Sequence, residues 1–236
     1  EARHLVSENQ LGKLRRVVVE YPQGWLSKTL EHQNDKQIIW RTSPEIAGAS
    51  GCMGDLGTHC GNLVEYITGL RITSVSADLS IFIDGGSLDD DGSVLIRLGD
   101  SVKGILWASQ VAIGHENSLG IRVYGEKGSL EWHQEEPNTL LVRWPDKPTE
   151  LRRTATDFLG NEPFLNTRIP AGHPEGYLEG FANIYSAFAS DISSYIKGNN
   201  KDILGDYPSV HDGVHTMALI NALLDSNTNH NKWVNI

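Results

Sequence analysis

The chain has 236 residues, 39% of them hydrophobic and 21% charged, which supplies a full core and is too apolar for a disordered tail. Its 20 basic against 30 acidic residues give a net charge of −10, the wrong sign for a phosphate backbone or an anionic leaflet, so nucleic acid and membrane surfaces are poor partners. No apolar run approaches the roughly 18–20 residues that span a bilayer, and Cys52 and Cys60 match neither a disulfide scaffold nor a zinc spacing, which fits a reducing, cytoplasmic setting.

Residues 1–10 predict a helix end closed by Gly12, and residues 14–21 (LRRVVVEY) a strand rich in β-branched side chains. Residues 25–51 read as irregular, with a short helix marked by Ser43 as cap, Pro44 at the first position and Gly48 at the exit. From 55 to 68 the spacing predicts an amphipathic helix, with Leu56, Cys60, Leu63 and Ile67 on one face and Asp55, His59, Asn62 and Tyr66 on another. After Gly69 the period changes to two, and strands are expected at 75–83, 93–98, 104–113, 120–124, 128–132, 139–144 and 150–155. With the first strand this makes about eight at hairpin spacing, mostly antiparallel. The strand at 104–113 is apolar on both sides: Ile105, Trp107, Val111 and Ile113 alternate with Leu106, Ala108 and Ala112.

A long helix is expected from Pro174 to about Lys197, with Tyr177, Phe181, Ile184, Phe188, Ile192 and Tyr195 as its buried stripe, and a last one from about Pro208 to Asp225 with Val210, Val214, Met217 and Leu224 at helical spacing. Three substantial helices cover one face of so large a sheet, so the other is expected to be buried by a second copy of the chain. No repeat or linker divides the sequence, which reads as one domain over 1–236.

Asp55 and His59 are the sharpest chemical candidates. Four residues apart on a helix, a carboxylate can orient an imidazole and raise its basicity, and the imidazole can exchange a proton with a substrate hydroxyl. The same spacing also describes an acidic first-turn residue beside a surface histidine. The glycines 51, 54 and 57 around the pair permit close approach of backbone and ligand. His211 and His215 form a second pair, for which a solvated first turn is the better account than a metal site, since no third ligand is placed. His173 either caps its helix or points into a pocket. The segment 114–117 (GHEN) reads as turn chemistry, and Asp89, Asp90 and Asp91 as a solvated hairpin tip. There is no G-x-G-x-x-G, no P-loop and no G-x-S-x-G, so neither a dinucleotide cradle nor a hydrolase nucleophile is encoded.

Three segments in order, WRTSPEIAGASGCMGDLGTH (40–59), GHENSLGIRVYGEKGSLEW (114–132) and HPEGYLEGFANIY (173–185), resemble the C-terminal domain of the Gfo/Idh/MocA oxidoreductases. The resemblance runs from about Gly12 to residues 232–234. It implies an α+β domain like the C-terminal domain of glyceraldehyde-3-phosphate dehydrogenase, with a large, mostly antiparallel sheet, helices on one face, and an open face used for a homodimer or tetramer. It also implies NAD or NADP bound mainly by an N-terminal Rossmann domain that the sequence lacks, and a sugar or polyol as substrate. Asp55 and His59 match the family's catalytic pair, which works with a lysine from the cofactor domain; His59 would take the hydroxyl proton and Asp55 would orient it. Where the family continues H-x-x-D, this sequence has Asn62, a change that falls on substrate contacts. Trp25, Trp40 and Arg41 could form a sugar platform or instead belong to the core, and Asn117 and His173 are weaker candidates for the same pocket. A non-catalytic sugar-binding or scaffold domain is the alternative reading. The chain alone is expected to have no turnover.

Overall fold

The computed structural model describes residues 1–28, 43–159, 166–198 and 205–236. Among them are nine strands: β1 (Leu14–Pro22), β2 (Ile72–Ser80), β3 (Asp91–Leu98), β4 (Val102–Ser109), β5 (Gly120–Gly125), β6 (Ser129–His133), β7 (Thr139–Trp144), β8 (Lys147–Arg153) and β9 (Val234–Asn235). Five helices accompany them: α1 (Ala2–Ser7), α2 (Pro44–Ala47), α3 (Thr58–Thr68), α4 (Tyr177–Ile196) and α5 (Val210–Thr228). The α+β architecture implied by the family resemblance is the one observed.

The strands form one sheet in the order β8-β7-β6-β5-β1-β4-β3-β2-β9. Every pairing is antiparallel except that of β1 with β4, which is parallel, so the sheet is mixed at its centre. Period-two alternation decides which side is buried: Val17, Val19 and Tyr21 of β1, Val94, Ile96 and Leu98 of β3, and Leu106 and Ala108 of β4 all point into the core. Against that side pack α3, on β1 and β4, and α5, on β2, while α1 rests on α3. Leu56, Cys60, Val64 and Ile67 are the buried stripe leading into and along α3, which stops at Gly69 with a left-handed φ of 67°. Leu219, Ile220 and Leu223 bury the C-terminal half of α5.

β9 covers β2 only at Ser74 and Val75. Farther along, side chains from α5 take over the hydrogen bonding of the edge: Ala77 N–H donates to Ser226 Oγ at 2.9 Å and Leu79 N–H to Asn227 Oδ1 at 2.9 Å. Edge amides satisfied in this way are not available for pairing with another strand.

Four readings from the sequence need correction. The strand expected at 104–113 stops at Ser109, because Gln110 N–H turns to the Asp90 carbonyl (2.8 Å) and its own carbonyl accepts from Leu26 N–H (3.1 Å); Ile113 is left exposed. The strand expected at 75–83 lies three residues earlier, because the Phe82 and Ile83 amides donate to the carboxylate of Asp90. Asp89 and Asp90 are therefore not a solvated tip: both are buried, with backbone amides as their partners. Finally, the stripe on α4 is not buried. Tyr177, Phe181, Ile184, Phe188, Ile192 and Tyr195 are all exposed, because the helix is held through its polar side: Arg168 bonds Asn183 and Ser186, and buried Asp191 accepts from Gly205 N–H and Tyr207 O–H. Val210, Val214 and Met217, on the N-terminal half of α5, are exposed as well. On the sheet face away from α3 and α5, Leu95, Tyr124 and Leu151 are exposed and Ile105 and Trp107 half-buried, consistent with the two-sided apolar character of β4.

Candidate functional site

The site is built at the entrance to α3. Residues Met53–Gly57 form one π-helical turn that leads directly into the helix, a local irregularity that recurs at functional sites. Its free amides are satisfied by a buried acid from the other side of the core: Asp89 accepts from Gly51 N–H at 2.9 Å and from Met53 N–H at 2.7 Å, while Cys52 N–H donates to the Asp89 carbonyl at 2.7 Å. Gly54 N–H is taken by Ser50 Oγ. Contact with the Asp89 backbone explains Gly51, where a Cβ would lie 2.5 Å from the Asp89 carbonyl oxygen; at Gly54 the nearest atom, Ser50 Cβ, would be at an ordinary 3.5 Å.

Asp55 stands on the π turn and His59 one turn later, at the start of α3. The Asp55 carboxylate accepts from Gln110 Nε2 at 3.2 Å. The His59 ring meets the Tyr21 ring edge to face, with centroids 5.8 Å apart and planes at 77°. The Tyr21 hydroxyl, at the inward-facing end of β1, donates to Asn117 Oδ1 at 2.6 Å, and Gln23 Nε2 donates to the same oxygen at 2.6 Å. Asn117 N–H in turn donates to Glu135.

Asp55 and His59 open into two adjoining cavities that share Thr58, Met217 and Asn221. The one containing Asp55 and Gln110 has a volume of about 320 Å³, and the one containing His59 and Asn62 about 980 Å³. Burial pushes the thiols of Cys52 and Cys60 well up, reinforced at Cys52 by Asp89 and other carboxylates and at Cys60 by Glu20, so both stay protonated and neither is a nucleophile.

The structure thus brings Asp55, His59 and Asn62 to one groove between α3 and α5, and connects Asn117 to it through Tyr21. His173 is exposed, its Nδ1 3.2 Å from the Pro170 carbonyl, and lines neither cavity. Trp25 is half-buried just ahead of the turn whose Leu26 N–H bonds Gln110; Trp40 and Arg41 lie outside the described residues. His215 is tied to Glu65 (2.8 Å) instead of lying in a merely solvated turn, and no group of three metal-ligating side chains occurs among the described residues. Tyr21 and Gln110 are not singled out by the sequence, and Asp89 is read there only as part of a solvated tip. Gln110 carried a signal: it continues the inward series Leu106, Ala108 as its one polar member.

A family model for the GFO/IDH/MocA C-terminal domain matches residues 1–131. The chain belongs to this family. An uncharacterised oxidoreductase of Bacillus subtilis (strain 168), YfiI, is 27% identical over 238 residues, which cover 99% of this chain and 60% of that protein. The crystal structure of an inositol dehydrogenase homologue from Azotobacter vinelandii complexed with NAD+ superposes with a TM-score of 0.94 at 30% identity, covering 100% of this chain and 61% of that one. Its complex with NADH and myo-inositol gives a TM-score of 0.90 at 28% identity, with coverage of 100% and 60%. The chain therefore spans about 60% of the length of these family members. Among the described residues no helix is long and apolar enough to cross a membrane.

Proposed function

We propose that this chain is the substrate-binding, proton-transferring and oligomerising domain, over 1–236, of a longer NAD(P)-dependent oxidoreductase acting on a hydroxyl of a sugar or polyol. The observation that carries the proposal is the placement of Asp55 and His59 one turn apart at adjoining cavities, each against its own neutral partner, Gln110 and Tyr21. His59 takes the proton of the substrate hydroxyl, and Asp55 orients the ring and stabilises the imidazolium that results.

The groove suits an uncharged polyhydroxyl ligand. Its described walls offer the hydroxyls and amides of Thr58, Asn62, Ser209 and Asn221 beside apolar Val214 and Met217, and neither lysine nor arginine, the cations that phosphate or carboxylate groups call for. The myo-inositol complex of the Azotobacter vinelandii homologue supports the same class of ligand.

The π turn offers no cradle for a dinucleotide: its amides, which could have met a phosphate, are already taken by Asp89. Dinucleotide binding is assigned mainly to the part of the longer protein outside this chain, along with the family's lysine. A bound nicotinamide supplies the hydride chemistry. The open sheet face around Trp107 and Leu95 pairs with a second copy, a reading that sedimentation of the full-length protein as a single chain would contradict. In the full-length protein, His59→Ala is expected to lower turnover by about 100-fold or more with folding intact; near wild-type turnover would overturn the assignment.

A further inference from the structure

Among the described residues Asp55 is the one titratable group lining its cavity; the others, including Ser50, Thr58, Ile220 and Asn221, are neutral. Among the described residues the carboxylate has a single hydrogen bond, from Gln110 Nε2 to Oδ2 at 3.2 Å, which leaves Oδ1 without a protein partner. Gln110 is itself immobilised. It is only 4% exposed, its N–H donates to the Asp90 carbonyl at 2.8 Å, and its carbonyl accepts from Leu26 N–H at 3.1 Å. The neighbouring Asp89 pins the π turn that carries Asp55. One short stretch, residues 89–90, therefore fixes both the carboxylate's backbone and the amide that faces the carboxylate.

A buried amide with a fixed main chain is costly to place at an otherwise apolar strand end unless it is hydrogen-bonded. A carboxylate oxygen accepts, so the amide presents its NH2 group to Asp55. We infer that Gln110 is a positioning residue: it holds the Asp55 carboxylate in one orientation, with Oδ1 left free for the partner that Asp55 serves. This rests on the proposed proton-transfer role of Asp55 and His59. Among the described residues, the other ionisable groups beside the turn that carries Asp55 are His59, Cys52 with its protonated thiol, and Asp89, whose oxygens are occupied by Gly51 and Met53; α5 contributes no ionisable group to this cavity.

The test uses the full-length enzyme with its nicotinamide cofactor and an oxidisable polyol. Gln110→Met, close in shape and lacking the donor, is expected to lower kcat about tenfold with the cofactor KM within about twofold. Gln110→Glu, of the same shape but acidic, is expected to move the low-pH limb of kcat upward by about one pH unit or more. Combined with Asp55→Asn, Gln110→Met is expected to add nothing, since it acts through Asp55. Losses that multiply in the double variant, or an unmoved pH limb in Gln110→Glu, would overturn the inference, and the second outcome stands even if Gln110→Met folds poorly. A readout independent of turnover is the 13C titration of the Asp55 carboxyl, assigned by its loss in Asp55→Asn. If that titration moves upward in Gln110→Glu while His59→Ala keeps its activity, Gln110 positions Asp55 and the proton-transfer reading fails. If His59→Ala is inactive and the Asp55 titration ignores position 110, the proton-transfer reading holds and this inference fails.

Discussion

Asp89 is the residue whose removal should do most damage per atom lost. Its carboxylate holds two backbone donors, Met53 N–H at 2.7 Å in a fully buried setting and Gly51 N–H at 2.9 Å in a partly buried one. Asp89→Ala strands both. A buried donor without a partner costs about 1–3 kcal/mol, with the upper end for bonds to charged groups; the deeper Met53 amide should account for about 2–3 kcal/mol and the Gly51 amide, which water can partly reach, for about 1. The total is about 3–4 kcal/mol. Asp89→Asn keeps the shape and one acceptor oxygen, which can serve Met53 while its NH2 group faces Gly51, so about 1–2 kcal/mol is expected. Urea unfolding of the full-length protein, with the exposed turn residue Asp100→Asn as control, measures the order Ala worse than Asn worse than control. Hydrogen exchange at residues 51–55 should rise first, because the π turn loses its anchor before the sheet does. Asp89→Ala within about 1 kcal/mol of the control, with protection at Met53 unchanged, would refute the reasoning.

Two further outcomes follow from the same geometry. Gly51→Ala drives a Cβ against the Asp89 carbonyl and should cost about 2–3 kcal/mol, whereas Gly54→Ala, with ordinary contact distances, should be neutral or gain up to about 1 kcal/mol from its better helix propensity; equal melting shifts in the two variants would contradict this. Asp212 caps α5 by accepting from the backbone N–H and hydroxyl of Ser209 and pairs with Arg71, and these contacts hold its carboxyl well below the usual range. Its folded pKa is depressed, so its contribution, about 1 kcal/mol for a cap of this kind, is complete above its unfolded pKa of about 3.9. As pH falls below that value toward the folded pKa, the contribution is lost. Melting curves of wild type and Asp212→Asn should therefore differ by a constant amount above about pH 4 and converge in stronger acid; a gap that persists to the lowest pH would exclude the cap as its source.

Much of the fold was legible because alternation is local. Val94, Ile96 and Leu98 announce a strand with one buried side, and Leu56, Cys60 and Ile67 a helix with one buried stripe. Periodicity tells which residues share a face, however, and not what covers that face. Tyr177, Phe181 and Phe188 have the spacing of a buried stripe and are exposed. Asp55 and His59 were legible as a pair, since their spacing survives the π turn. What holds them was not: Asp89, Gln110 and Tyr21 come from three distant segments, and a run of three aspartates in a sequence reads as a turn until the amides of Gly51, Met53 and Phe82 are found pointing at it.

The position of β1 makes it the one link between the two halves of the described sheet. Residues 14–22 separate β5 from β4, pairing parallel to one and antiparallel to the other, so the meander β5 to β8 and the ribbon β2 to β4 meet only across this strand. Each half pairs through neighbouring hairpins, whereas joining them requires β1 to pair with strands about 80 to 100 residues downstream, a non-local closure that raises the contact order of the sheet. Because β1 also carries Tyr21 close to its end, with the ring against His59, the strand that joins the two halves of the sheet also supplies part of the surroundings of the imidazole.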